Sequence, residues 1–123
     1  TNPKFFPVNP EMSSKLIIAS LLYENNFEKT FNLVTNLCEA VWVNDLNVSD
    51  LSELTKIANE VGMNSDLIES FLTDEAVIGQ LNKNTTQAKE SSVFGVPTFI
   101  YDNNLFFGQD RLFMLEKSIK AKL

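Results

Sequence analysis

Gly108, Gln109, Asp110 and Arg111 follow one another in "FFGQDRL", and a short way ahead of them stands Pro97 in "VFGVPTF". A glycine lets another backbone approach closely. A helix that opens just after it turns its first N–H groups toward a carboxylate. Asp110 could meanwhile accept hydrogen bonds from an ammonium. Together these are the parts needed to hold an amino-acid zwitterion. The same residues also make an ordinary helix start with Asp110 as its cap, and composition alone favours that plainer reading. For Val96–Pro97 the ordinary expectation is a trans bond entering a strand, since only about one X–Pro bond in twenty is cis. The other side chains offer little reactivity. There is no histidine, which excludes a histidine metal site or catalytic triad, and no metal site is expected. Cys38 is the only cysteine, which excludes an internal disulfide and a CxxC pair within these residues. In mid-helix, with no run of cations nearby, it reads as a small buried hydrophobe.

The elements that must position these residues are helices first and a short β unit last. Asn9 can cap a helix with Pro10 at its first position, running to about Glu24 and burying Leu16, Ile17, Leu21 and Tyr23. A second helix covers Phe27 to Trp42, where Phe27, Phe31, Val34, Cys38, Val41 and Trp42 fall near one stripe that reads as core. Asp50 and Glu53 form a capping pair for a third helix ending at Gly62. Asn64 starts a short helix through Leu72, and Thr73 or Asp74 caps another that reaches about Ser91. At Val93 the period changes. "PTFIYD" is β-rich and apolar on both faces, which predicts a strand buried on both sides. "DNN" is turn chemistry, "LFF" a second strand, and "QDRLFMLEKSIKAK" a helix with its acid first and its lysines last. The fold class is therefore α+β and mostly α. A helical domain spans residues 1–91, and a strand–strand–helix part spans 92–123.

Composition narrows the partners. A net charge of −6 and a pI near 4.5 argue against nucleic acid or an anionic membrane. The longest apolar run, around Leu16 to Tyr23, is too short to span a bilayer. No signal peptide is visible, which leads to the expectation of a cytoplasmic protein. Thr1 reads as a processed or truncated start.

"VFGVPTF" followed by "FFGQDRL" resembles the C-terminal signature of 2-hydroxychromene-2-carboxylate isomerases and the related kappa-class glutathione transferases, within the DsbA-like branch of the thioredoxin superfamily. "NPKFFPVN", "AVWVNDLNVSD" and "LNKNTTQA" resemble other stretches of that family, so the likeness covers essentially the whole chain. Ser92 stands where the family usually has glycine, and Lys15 where it often has arginine. The resemblance implies a helical insertion domain plus the C-terminal hairpin–helix half of a thioredoxin fold. It implies a cis Val96–Pro97 bond, with the Val96 backbone pairing with the cysteinyl backbone of glutathione. Phe107, Gly108, Gln109 and Asp110 would hold the γ-glutamyl end. Trp42 is a weaker candidate for the pocket of a small aromatic substrate, and helix packing is the plainer reading for it.

In the family a strand–helix–strand unit carrying a catalytic serine comes first, and nothing here matches it. The chain is thus expected to be part of a longer glutathione-dependent isomerase or transferase and to hold no catalytic residue itself. In the whole enzyme, a glutathione thiolate would add reversibly to a conjugated aromatic substrate and allow bond rotation. A DsbA-like disulfide oxidoreductase and a non-catalytic binding protein are the alternatives. A homodimer, or association with the serine-bearing segment, is expected to cover the exposed strand edge.

Overall fold

The computed structural model describes residues 1 to 123. In chain order the elements are α1 (Glu11–Tyr23), α2 (Phe27–Trp42), α3 (Leu51–Glu60), α4 (Ile68–Thr73), α5 (Glu75–Glu90), β1 (Thr98–Tyr101), β2 (Asn104–Phe107) and α6 (Leu112–Lys120). Short 3-10 turns at Ser65–Leu67 and Gln109–Arg111 lead into α4 and α6. The chain divides into two compact units, Thr1–Lys83 and Asn84–Leu123.

Local side-chain chemistry starts the helices of the first unit. The Asn26 side chain accepts from the Lys29 amide at 3.0 Å, and Asp74 accepts from the Ala76 amide at 2.7 Å. Asp50 accepts from both Ser52 and Glu53 amides, at 2.8 and 3.3 Å. At α1 the expected boundary moves by one residue. Asn9 accepts from the Glu11 amide at 3.0 Å, and Pro10 occupies the cap position instead of the first helical one. Gly62, at φ +84°, ends α3: its own amide donates to the Asn59 carbonyl and that of Met63 to the Ala58 carbonyl, both at 3.0 Å.

Each of the first five helices sends a large, essentially inaccessible side chain into the core: Leu16, Leu33, Leu54, Ile68 and Val77. Burying a side chain of this size contributes about 1.5–3 kcal/mol. The Ser20 and Thr30 hydroxyls, buried between α1 and α2, satisfy one another at 2.6 Å.

Two expectations about this core fail. Leu21 and Tyr23 are 55% and 48% exposed, Ile17 is half-buried, and the buried face of α1 is Ser13, Leu16, Ile18, Ala19 and Ser20. The reason is that α1 packs against both α2 and α4, so small residues are needed where helices approach from two sides. On α2 the stripe Phe27, Phe31, Cys38, Trp42 lies on the surface, with the three aromatics 76%, 61% and 60% exposed. The buried residues are Thr30, Leu33, Leu37, Ala40 and Val41, about a quarter-turn round the helix. Of the expected stripe only Val41 is buried.

Tyr23 works at the surface. Its hydroxyl donates to Asp74 Oδ2 at 2.6 Å, and its ring stacks on Phe71 with centroids 5.6 Å apart. The Tyr23 bond, aided by the Ala76 amide, holds the Asp74 carboxyl below its ordinary value, and Asp74 pushes the phenol up. Lys15, where arginine is common in the family resembled, reaches Glu11 one turn back at 3.0 Å.

In the second unit β1 and β2 pair antiparallel with Tyr101 opposite Asn104. Asp102 and Asn103 fill the two-residue loop at φ +51° and +62°, the conformation of a type I′ turn. The expected burial of β1 on both sides is not found: Ile100 is 51% exposed, and Gly108 is the only buried residue from 84 to 123. A hairpin and one helix supply too few layers to enclose a strand.

Ser92 is explained by the end of α5. It sits at φ +63°, with the Val93 amide donating to the Ala88 carbonyl at 2.9 Å, the helix closure that favours glycine. A β-carbon there is strained. Ser92→Gly should therefore raise stability by about 0.5–1 kcal/mol, read as a higher urea midpoint at unchanged slope. An unchanged or lower midpoint would show that the serine side chain compensates.

Candidate functional site

Two loops of the second unit are tied together by one backbone bond. The Gly108 amide donates to the Pro97 carbonyl at 2.8 Å, which sets "VFGVPTF" beside "FFGQD". The Val96–Pro97 peptide is cis, as is Phe6–Pro7 in the other unit, for which the sequence offered no sign. Thr98 Oγ1 donates to the Gly95 carbonyl and braces the bend. Val96 itself is 86% exposed, and its amide and carbonyl bond to nothing in the chain. An extended backbone laid along it would find both groups free.

Both glycines of the motif have a steric reason. A β-carbon on Gly95 would stand 2.8 Å from Phe107 Cε2, because the Phe107 ring lies over it and meets Phe94 at 4.7 Å between centroids. Gly108 has φ +95°, and a β-carbon there would meet Asp110 Oδ1 at 2.5 Å. The Asp110 carboxylate thus lies folded back over Gly108. It makes no capping bond: neither the 3-10 turn nor α6 has a side-chain cap. The plainer reading of Asp110 as a helix cap loses its support. Val96, Pro97, Phe107, Gly108, Gln109 and Asp110 therefore lie in one place, with two unbonded backbone groups at one end and an exposed carboxylate at the other.

The remaining candidate, Trp42, belongs to the first unit and lines an apolar cavity of about 280 Å³ there. Phe6 faces it with ring centroids 5.4 Å apart and planes inclined at 50°. Val8, Val34, Cys38 and Val41 complete much of the wall. Sequence reasoning passed over Phe6 and Cys38 for this cavity, since nothing local brings residues 6, 38 and 42 together. Arg111 was also passed over. It is the sole arginine among ten cations, which is a legible signal.

Compared with known proteins, residues 4–120 match the family described as the DSBA-like thioredoxin domain. The chain belongs to that family. Among curated relatives, the DSBA-like domain is 31% identical over 118 residues to 2-hydroxychromene-2-carboxylate isomerase of Pseudomonas sp. (strain C18), covering 95% of this chain and 54% of that protein. It is 33% identical over 95 residues to the enzyme of the same name from Sphingobium xenophagum, covering 77% and 49%. A solved structure of 2-hydroxychromene-2-carboxylate isomerase superimposes with a TM-score of 0.75 at 28% identity, over 98% of this chain and 58% of that one. The DSBA-like domain thus spans about half the length of the curated relatives it matches. No helix in it is long and apolar enough to cross a membrane.

Proposed function

We propose that this chain is part of a glutathione-dependent isomerase that interconverts cis and trans forms of an aromatic-ring degradation intermediate. The observation that carries the reading is the bond between Gly108 and Pro97, which sets the free backbone of Val96 beside the carboxylate of Asp110. That arrangement suits a short extended peptide with an amino-acid zwitterion at one end. Glutathione has this form: a peptide backbone at its cysteine and a free ammonium and carboxylate at its γ-glutamyl end.

Each residue then has a task. The amide and carbonyl of Val96 pair with the cysteinyl backbone in strand fashion, and the bend at Pro97 presents them. Asp110 accepts from the ammonium, and the turn at Gln109 donates to the carboxylate. Gly108 is small enough to leave the carboxylate of Asp110 in place. When bound, glutathione supplies a thiol as nucleophile for reversible addition to a conjugated double bond. The relatives named as isomerases favour this reaction over kappa-type transfer or disulfide exchange, and the apolar cavity beside Trp42 suits a flat ring.

The test is direct. Titrating glutathione into the purified chain should give a dissociation constant near millimolar, worth about 4 kcal/mol, with perturbed amides at Val96 and from Phe107 to Asp110. No saturable binding, or perturbation confined to other residues, would remove glutathione from the reading.

A further inference from the structure

The outer edge of β2 is unpaired and opens onto a basic groove. Pairs alternate along an antiparallel ladder between those that exchange hydrogen bonds and those that do not. Gly108 bonds to Pro97, so Phe106–Phe99 and Asn104–Tyr101 are the bonded pairs, and the amides and carbonyls of Leu105 and Phe107 point outward. Alongside lies a concavity of about 550 Å³ lined by Asn104 to Phe107, Arg111, Met114 and Ser118. It shares Phe106, Met114 and Ser118 with a second concavity of about 370 Å³, which adds Phe113, Lys117 and Ala121. No carboxylate lines either one.

The charge here is opposite to that of the whole chain, whose net charge is −6. It is also unspent. On the same stretch Lys120 pairs with Glu116 at 2.6 Å and Lys122 with Asp102 at 2.8 Å. Arg111 and Lys117 enter no ion pair, and the hydrogen bond of the guanidinium is to the Met114 sulfur, at 3.8 Å. Arginine suits planar, bidentate recognition of a carboxylate better than lysine does.

We propose that this groove binds an extended acidic peptide, which adds to β2 as a third strand. Its backbone bonds to Leu105 and Phe107, and carboxylates at alternate positions meet Arg111 and Lys117. Alternate side chains of a strand stand about 7 Å apart on one face, and six helical residues span about 9 Å, within the reach of two long side chains. The site lies on the edge of β2 away from β1; it shares Phe107 with the proposed glutathione site, and Leu105 belongs to it alone.

An acetylated hexapeptide alternating glutamate and threonine, titrated into the isotope-labelled chain, should shift the Leu105 and Phe107 amides saturably. The surface double variant Arg111→Gln, Lys117→Gln should bind at least tenfold more weakly at unchanged melting temperature. Leu105→Pro removes an outward amide without touching the β1–β2 ladder, and should abolish binding while the hairpin signals persist. The matching lysine–threonine hexapeptide should not bind. Absence of saturation, equal binding of the lysine peptide, or an unaffected double variant would each overturn the proposal. So would a dimer in light scattering that Leu105→Pro dissolves, since the occupant would then be a second copy of this chain.

Discussion

Asp110→Ala is expected to weaken glutathione binding by about 2–3 kcal/mol, because it leaves a bound ammonium without its acceptor. From a starting constant near millimolar, the titration would show no saturation below about 30 mM. Stability should stay within about 0.5 kcal/mol, since the carboxylate is exposed and caps nothing. The two readouts separate the roles. A drop in melting temperature with unchanged affinity would make Asp110 a structural residue. Asp110→Asn adds a finer control, because it keeps the shape over Gly108 and loses only the charge.

Leu33→Ala should cost about 3 kcal/mol, among the largest effects of any single substitution here. Leu33 is fully buried on α2, which packs against both α1 and α3, so truncation leaves a cavity in a place with little room to collapse. Urea unfolding followed by the helical circular dichroism signal would show the midpoint fall. Phe31→Ala, two residues away and 61% exposed, should change it by no more than about 0.5 kcal/mol. Equal losses for the two variants would return the aromatic stripe of α2 to the core.

That pair also shows where sequence reading stops. Helix starts were legible because they are local: Asp50 and Asp74 each bond to amides two or three residues on. The turn at Asp102–Asn103 and the stop at Gly62 were legible for the same reason. The buried face of α2 was not. Two stripes share the helical period, and only the helices packed against α2 decide between them. The larger, more apolar stripe lost, because Thr30 and Ala40 permit closer approach than Phe27 and Phe31 do. In the candidate site, the glycines and the acid stood out as types, while their reasons are tertiary: Phe107 lying over Gly95, and Asp110 folding back over Gly108. Phe6 beside Trp42 is a meeting of distant residues that no spacing announces.

The tail from Asn84 onward holds no buried side chain, and that openness gives ligands an unusual hold on it. A hairpin covered by a single helix opens at little free-energy cost, so its amides should trade hydrogen for deuterium far sooner than those around Leu33. Any molecule that seats on it then lends order as well as occupying a place. For this segment a bound ligand adds stability as RT ln(1 + [L]/Kd), so tighter binding means rarer opening. Exchange rates at Phe99, Tyr101 and Phe106 would therefore report, residue by residue, how full the site is.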